Sequence, residues 1–191
     1  GPRGRPRGFF ISMAYWFELV AGGLITGGIY AVVALGLNLQ YGLMRIMNIS
    51  HGEFLMLGAY LTWLAHTVLK VNPLVFVPVV AAVLFLVGLA VYRLCFRRIS
   101  RTAPSVDVIE ARGLLVSFGL MFLVQNAAYL IWGADLRGYS FLDEPVDIAG
   151  ARFTANRLVV FGFALGASLV LLAILRYTLI GKAVRAMMQS P

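Results

Sequence analysis

Five long apolar stretches, separated by shorter polar stretches, run along this chain, and they cover residues 17–39, 54–69, 74–96, 113–132 and 158–175. A helix needs about 20 apolar residues to cross a bilayer, and four of the five stretches reach or approach that length. The second is shorter, and it becomes a full crossing only if it recruits the residues around Gly52. The pattern predicts an all-α polytopic membrane protein with about five transmembrane or re-entrant helical segments.

The segment 38–60 interrupts the apolar pattern with a dense group of polar residues: Asn38, Gln40, Arg45, Asn48, Ser50, His51 and Glu53. Polar groups are costly in hydrocarbon and persist there only with partners, water or a task. Two interpretations stay open. The segment is either a short solvated loop between membrane helices or a broken, re-entrant element that lines a path. Its glycines and the short helix that follows favour the second interpretation, because such segments are typical of discontinuous helices at transport sites.

Small residues four positions apart suggest where helices approach each other closely. Gly23 and Gly27 have this spacing in the first span, and Gly162 and Gly166 have it in the fifth. Such pairs are typical of helix packing in membranes. In the fourth span, Gln125 and Asn126 are expected to hydrogen-bond to neighbouring helices, with pathway lining as the alternative.

Composition and charge support membrane insertion and exclude several function classes. The 191 residues are 61% hydrophobic and only 13% charged, against about 25% charged in soluble domains. The net charge of +8 does not indicate nucleic-acid binding, because the basic residues lie mainly between apolar spans and in a terminal tail. Cys95 is the single cysteine and is expected to be a small buried apolar side chain.

The basic residues also predict an orientation. Arginines and lysines follow the third and fifth spans and mark cytoplasmic ends: Arg93, Arg97, Arg98, Arg101, Arg176, Lys182 and Arg185. Residues 102–112 are predicted to form a polar loop on that side. The loop 133–156 has more acids than bases and is predicted to be external, with short extended pieces around turns that could pair as a hairpin.

The amino-terminal tail does not fit this orientation. Residues 1–12 are rich in Gly, Pro and Arg and are predicted to be a disordered basic tail. If the second segment crosses fully, Arg3, Arg5 and Arg7 fall outside. Three explanations stay open: the tail is not native, the His51 element re-enters without crossing, or the first helix breaks the charge rule.

Motifs for catalysis or metal binding are missing from the sequence: there is no Walker A pattern, no GxSxG and no His-x-x-His set. His51 and Glu53 are two residues apart, so on a helix they do not face each other. We therefore expect no enzyme activity, no metal and no cofactor. Glu53 is almost the only carboxylate within the spans, which disfavours ion-gradient coupling and favours a separate motor acting on a cytoplasmic helix.

The segment 177–191 has the amphipathic pattern expected of such a cytoplasmic helix. Ala183, Met187 and Met188 are expected on one face, and Lys182, Arg185 and Gln189 on the other.

The segment 22–63 resembles the opening of membrane permeases of branched-chain amino acid ABC transporters, of the high-affinity LivH type. That family has a Gly-rich span with Y-A-L/V-x-A-x-G, then Y-G-x-x-x-x-x-N-x-A-H-G-E/D and M-x-G-A-Y. The matching residues here are Tyr30, Ala31, Ala34, Gly36, Tyr41, Gly42, Asn48, His51, Gly52, Glu53, Met56, Gly58, Ala59 and Tyr60. Ser50 stands where the family usually has Ala. The end of the chain resembles the family's cytoplasmic coupling loop at Gly181, Ala183, Arg185 and Ala186.

The resemblance covers residues 13–191 and implies a function. It implies the amino-terminal part of a permease domain, cut within the coupling segment, in a bacterial inner membrane. It also implies ATP-driven import of branched-chain or related amino acids. The implied partners are a paralogous permease, two cytoplasmic ATPases and a periplasmic substrate-binding protein. Asn48, His51, Gly52 and Glu53 are then expected to line the translocation path, with His51 or Glu53 holding the break by hydrogen bonds.

Three alternatives remain at this point. The permease could carry urea or short amides, because related systems share the motif. The chain could instead be a gradient-driven carrier or channel, or a membrane-embedded enzyme using His51 and Glu53.

Overall fold

The computed structural model describes residues 7–148 and 150–189, with side chains at 15–148, 150–179 and 181–186. Seven α-helices and one short hairpin make up this described part. In chain order they are α1 (Arg7–Met44), α2 (His51–Thr67), α3 (Pro73–Val91), a π-turn (Tyr92–Phe96), α4 (Arg97–Thr102), α5 (Val106–Trp132), β1 (Pro145–Ile148), β2 (Ala151–Thr154), α6 (Ala155–Tyr177) and α7 (Leu179–Gln189). Two compact units divide the chain: a terminal unit of residues 1–36 and 140–191, and a central unit of residues 37–139.

Among the described residues, four helical stretches are long and apolar enough to cross a membrane: Tyr15–Met44, Pro73–Thr102, Val106–Trp132 and Ala155–Tyr177. The remaining predicted segment, the second along the chain, is α2, whose 17 residues extend only about 25 Å. Large apolar side chains remain exposed on these helices, for example Phe85 at 70% and Leu130 at 83%. Such surfaces need lipid or other helices to cover them. The predicted fold class, an all-α polytopic membrane protein, is confirmed; of the about five predicted transmembrane or re-entrant segments, four are candidate spans and α2 is shorter.

In the central unit, α2 and α3 form a helical hairpin joined by a tight turn. Asn72 caps α3, since its Oδ1 accepts a hydrogen bond from the Leu74 N–H at 3.0 Å, and Pro73 occupies the first helical position. A Cβ added to Gly58 of α2 would lie 3.2 Å from a methyl of Leu84 in α3. This glycine therefore allows the two helices to approach closely.

The core of the central unit lies where the end of α1 meets the helices around Phe96. Ile46, Phe96 and Ile99 are buried there, and side chains from α5 pack against them. A Cβ on Gly113 would lie 2.6 Å from Ile46 Cγ2, so only glycine fits at this contact. The core fixes the position of the segment that follows α1.

The predicted polar loop 102–112 is wrong in its extent. Only residues 103–105 separate α4 from α5, because α5 already begins at Val106. Its first two turns are polar because they extend beyond the apolar part of the span, and Asp107 suits a helix N-terminus. Glu110 also accepts a hydrogen bond from the Tyr41 hydroxyl at 2.9 Å, which ties this extension to α1.

An aromatic cluster lies where the carboxyl-terminal ends of α2 and α5 meet. Tyr60 stacks on Trp132 with ring centroids 4.6 Å apart, and the Arg137 guanidinium lies 4.8 Å from the centre of the Trp63 ring. Arg137 also donates to the Trp132 carbonyl at 2.7 Å. Burial raises the pKa of the Tyr139 phenol above its usual value. Amphipathic rings of this kind are typical of the membrane–water interface.

The terminal unit contains the beginning of α1, the hairpin, α6 and α7. The hairpin predicted in the external loop is confirmed: β1 and β2 pair antiparallel, with Val146 opposite Phe153. Gly150, at φ 85°, makes the turn. Phe153 is buried with Ile25 of α1, and Phe161 of α6 packs against them.

Helix α1 begins at Arg7, not after residue 12, so the predicted disordered tail is wrong for residues 7–12. Extending an existing helix costs much less than starting one, which explains the earlier start. Residues 1–6 of that tail lie outside the described residues. Phe17 packs edge-to-face on Phe153 of the hairpin, with ring centroids 6.5 Å apart. The start of α1 therefore lies at the hairpin end of this unit, the side that the sequence predicts to be external.

Candidate translocation site and coupling helix

Residues 45–50, here called the break, separate α1 from α2 in the central unit. Arg45 ends α1 in a left-handed conformation, at φ 53°, and its N–H donates to the Tyr41 carbonyl at 2.8 Å. This geometry is a common way to end a helix, although glycine usually occupies the position. The chain then passes through non-helical residues before α2 begins at His51. The sequence-based interpretation of a broken helical element, rather than an ordinary solvated loop, agrees with this geometry.

Alternate residues of the break are buried, and the two buried polar side chains pair with each other, whereas Met47 and Ile49 are exposed. Asn48 is 6% exposed and Ser50 is fully buried. The Asn48 side-chain oxygen accepts from the Ser50 hydroxyl at 2.6 Å and from the Ser50 N–H at 3.1 Å. Irregular backbone at membrane depth is tolerated only where protein or water satisfies it. Asn48, predicted to line the path, therefore acts first as the internal brace of the break.

Ser117 of α5 supplies the second brace. It is fully buried, and its Oγ accepts from the Ile49 N–H at 3.3 Å. The same hydroxyl lies 2.9 Å from the Leu114 carbonyl and 3.3 Å from the Met47 carbonyl, so it can donate to either. A side chain 68 residues away thus satisfies the backbone of the break. We expected His51 or Glu53 to hold the break by hydrogen bonds. Their backbone N–H groups donate to the Asn48 and Ser50 carbonyls at 3.2 and 3.0 Å. The side-chain bonds within the break come from Asn48, Ser50 and Ser117.

His51, half-buried, faces an apolar cavity of about 410 Å³ within the central unit. Most of the cavity wall is aliphatic or aromatic, and its polar residues are few. The lining residues are Gln40, Met44, Asn48, His51, Phe54, Leu84, Phe85, Gly88, Leu89, Val91, Tyr92 and Phe96. Binding sites for small molecules usually have this mixture of an apolar wall and a few polar groups.

Glu53 lies on a different side of α2 and contacts α5. Its Oε1 accepts a hydrogen bond from the Gln125 side-chain amide at 2.8 Å. The neighbouring Asn126 donates to the carbonyl of Phe122 in its own helix, also at 2.8 Å. The predicted role of the amide pair is thus realised by Gln125, which bonds across helices, whereas Asn126 bonds within α5.

The Glu53–Gln125 pair joins the first turn of α2 to a residue well inside the candidate span α5. Gln125 lies seven residues, or about 10 Å, before the end of α5 at Trp132. Its side chain is nevertheless exposed at the surface of this chain. An exposed amide inside a candidate span, bonded to a half-buried carboxylate, is costly in hydrocarbon and is better satisfied by water or another protein.

Gly52 is exposed, and no described atom lies within 4 Å of a Cβ placed on it. Gly52, predicted to line the path, therefore makes no close contact with the described part of the chain beyond its own helix. The predicted packing glycines Gly23, Gly27, Gly162 and Gly166 have the same open surroundings. The close contact in the terminal unit occurs at Gly28 instead, where a Cβ would lie 2.5 Å from the Phe161 ring. Packing at the four GxxxG positions stays a prediction about surfaces that this chain leaves open.

Helix α7 forms where the sequence predicted an amphipathic cytoplasmic helix. Thr178 is extended and starts the new helix: its hydroxyl donates to the Ile174 carbonyl at 2.6 Å and accepts from the Gly181 N–H at 3.0 Å. A Cβ on Gly181 would overlap the carbonyl oxygens of Ile174 and Leu175, so this glycine permits the corner. The side chains of Met187, Met188 and Gln189, expected on the two faces of α7, lie outside the described residues.

The four predicted coupling residues differ in how exposed they are. Gly181 is buried in the corner, whereas Ala183, Arg185 and Ala186 are exposed on α7. Arg185 makes only a long contact to its own chain, from Nη2 to the Arg176 carbonyl at 3.4 Å. The exposed part of α7 is thus available to a partner.

Sequence reasoning missed Ser117, the residue from α5 that braces the break. A weak signal was present, because Ser117 is the only serine or threonine between residues 113 and 132. A hydroxyl in a membrane helix commonly bonds within its own helix, so the sequence alone does not identify its distant partner.

Comparisons with known proteins agree with the resemblance in the sequence. Residues 19–191 match the model of the family described as "Branched-chain amino acid transport system / permease component". The high-affinity branched-chain amino acid permease protein BraD of Pseudomonas aeruginosa is 29% identical over 118 residues, which are 61% of this chain and 38% of that protein. The permease protein LivH of Escherichia coli K12 is 24% identical over 186 residues, covering 90% of this chain and 58% of LivH.

A similar relative comes from an archaeon. The probable LivH permease of Methanocaldococcus jannaschii is 26% identical over 177 residues, 91% of this chain and 55% of that protein. The chain therefore spans between 38% and 58% of the length of these relatives. No solved structure matches it.

Proposed function

We propose, because this chain belongs to the family of permease components of branched-chain amino acid transport systems, that it is the amino-terminal part of a membrane subunit of an ATP-driven amino acid importer. Its membrane is the inner membrane of a bacterium, and its cargo is leucine, isoleucine, valine or a related amino acid. A paralogous permease, two cytoplasmic ABC ATPases and a periplasmic substrate-binding protein complete the importer. The chain itself performs no catalysis and holds no cofactor.

The observation that carries the proposal is the hydrogen bond between Glu53 and Gln125, whose amide is exposed on the apolar candidate span α5. A carboxylate and an amide on the surface of a lipid-facing helix would each be costly. In an importer, the same pair faces a hydrated path between subunits, where water and the cargo solvate it. Glu53 then offers a negative charge to the ammonium group of an amino acid.

The break gives this pair a fixed position. Helix α2 begins at His51, and the buried contacts of Asn48, Ser50 and Ser117 set where that helix starts. Asn48 and Gly52 contribute to the path by shaping this turn, and His51 presents a polar edge to an apolar cavity large enough for an aliphatic side chain. The proposal therefore assigns polar recognition to Glu53 and apolar contact to the His51 cavity.

Uptake of radiolabelled leucine by the complete importer in proteoliposomes tests the path. We expect Glu53→Gln and His51→Ala to abolish or strongly reduce uptake while membrane insertion is unchanged. Asn126→Leu is the matched control, because Asn126 is exposed beside Gln125 but bonds only within its own helix. Normal uptake in both path variants would sink the path assignment. Loss of the second permease on co-purification of Glu53→Gln would instead place the pair in a subunit contact.

The same preparation distinguishes the alternatives. Uptake that needs ATP inside the proteoliposomes and survives a protonophore supports the ABC importer over a gradient-driven carrier. Competition by unlabelled leucine, but not by urea or acetamide, supports amino acid cargo over short amides.

Coupling to the ATPases is proposed for the exposed face of α7. Arg185 is exposed and its contact to its own chain is long, which leaves its guanidinium available for a carboxylate on an ATPase. We expect Arg185→Ala to lower leucine-stimulated ATP hydrolysis and ATPase co-purification. Arg112→Ala is the control, since it removes the same charge from an exposed position in the polar extension of α5. Equal ATPase co-purification and stimulation in Arg185→Ala and the unaltered importer would contradict the coupling role.

A further inference from the structure

Arginines line a groove at the end of α3 that the proposed transport function does not use. Arg93, Arg97 and Arg101, together with Leu89, Tyr92 and Ser100, surround a cavity of about 450 Å³. We call this cavity the arginine groove. All six residues belong to one continuous helical stretch, in which the π-turn joins α3 to α4.

The π-turn and the neighbouring core direct these arginines outward. The Arg97 N–H donates to the Tyr92 carbonyl, five residues earlier, which widens the helix by one residue. Phe96 and Ile99 are buried in the core of the central unit. Because Phe96 and Ile99 fix which side of the helix is buried, Arg93, Arg97 and Arg101 lie together on the exposed side. Widened helical turns of this type frequently occur at functional sites.

These guanidinium groups have no acidic partner among the residues that the structure describes. The one ion pair found in that part of the chain joins Arg152 to Asp147, in the terminal unit. Glu110, an acidic residue of the central unit, accepts a hydrogen bond from Tyr41. Three adjacent cations without an anion repel one another, so the groove is suited to an anionic ligand.

The position of the groove indicates which anion is nearest. Helix α3 contains no charged residue from Pro73 to Val91, and the arginines begin two residues later. The groove therefore starts where the hydrocarbon ends, at the depth of lipid headgroups. Leu89 lines its deep end, so the cavity is apolar toward the membrane and cationic toward the cytoplasm. A phospholipid has this same succession of an acyl chain and a phosphate.

We propose that the arginine groove binds the phosphate of an anionic phospholipid headgroup, such as that of phosphatidylglycerol. Arginine suits this ligand because its planar guanidinium can donate two hydrogen bonds to one phosphate. Basic pockets on the cytoplasmic side of membrane helices are the common way in which proteins retain anionic lipids. This site is independent of the transport assignment, since it concerns lipid binding and not cargo.

Native mass spectrometry of the purified complete importer, titrated with phosphatidylglycerol or phosphatidylcholine in detergent, tests the site. We expect preferential retention of phosphatidylglycerol, and Arg97→Gln should weaken it by about fivefold, the typical effect of one arginine near an anionic lipid. Arg98→Gln is the matched control, because it removes the same charge from the next residue, which does not line the groove. In detergent there is no extended anionic surface, so Arg98→Gln should change the affinity by less than about twofold.

Several results would overturn the proposal. Equal weakening in both variants would mean diffuse attraction rather than a site, and equal retention of the two lipids would mean no headgroup selection. Displacement of phosphatidylglycerol by millimolar inorganic phosphate would identify a soluble phosphate as the ligand. Loss of ATPase binding in Arg97→Gln, with lipid affinity unchanged, would identify the groove as a protein contact. Leucine uptake measured in parallel reports on the transport proposal separately.

Discussion

Replacing Ser117 with alanine should loosen the break while leaving the surrounding helices formed. In the folded chain the Ser117 hydroxyl accepts from the Ile49 N–H at 3.3 Å and donates to a carbonyl of the break or of its own helix. Alanine fits the space, since it is smaller, but offers no acceptor. The Ile49 N–H then loses its partner at a position that is only partly buried, since Ile49 is 41% exposed, and the lost hydrogen bond is therefore near the weak end of the range for buried groups.

The magnitude follows from the geometry of this hydrogen bond. A buried polar group without a partner costs about 1–3 kcal/mol, and measured side-chain hydrogen bonds in membrane proteins average about 0.6 kcal/mol. The 3.3 Å distance is long, so the low end of the first range applies. We therefore expect the free energy of opening the break to fall by about 1 kcal/mol. This change corresponds to an about fivefold larger equilibrium constant for opening the break.

Hydrogen–deuterium exchange of peptides covering residues 47–50 measures this opening directly. Ser117→Ala should speed exchange at Ile49 about fivefold, without an equal change at the middle of α5. Thr62→Ala is the matched control, because the Thr62 hydroxyl bonds only to the Gly58 carbonyl of its own helix. The control should change exchange in the break by less than about twofold. Unchanged exchange at Ile49 in Ser117→Ala, or an equal increase in the control, would refute the bracing role of Ser117.

Two further predictions concern the same unit. Gly113→Ala should lower the free energy of unfolding by about 1–3 kcal/mol, because its Cβ would overlap Ile46, whereas Gly119→Ala on the same helix has open space and should be neutral or slightly stabilising. Ile46→Ala should partly rescue Gly113→Ala in a double-mutant cycle of denaturant unfolding, and fully additive effects would contradict the overlap. Arg45→Gly should raise the midpoint of thermal unfolding by removing about 1 kcal/mol of left-handed strain, and a lower midpoint would show that the Arg45 side chain contributes more than its backbone costs.

The amino-acid sequence alone determined the class and the layout of this protein. The five apolar segments, the hairpin within residues 133–156 and helix α7 all follow from local patterns, and the structure contains each of them. These features are local because each depends on whether neighbouring residues prefer lipid, water or a turn. The predicted loop 102–112 failed for a related reason: polarity reports contact with water, and a helix that leaves the bilayer is as polar as a loop.

The tertiary structure decided which residues meet. Ser117 braces a segment 68 residues away, and Gln125 bonds to Glu53 across 72 residues. A close contact with Phe161 lies at Gly28, a position that the GxxxG spacing does not indicate. A polar or small residue shows in the sequence that it needs a partner or a close neighbour. The identity of that partner depends on how distant helices pack, because a buried contact is stabilising only when both residues that form it are brought together.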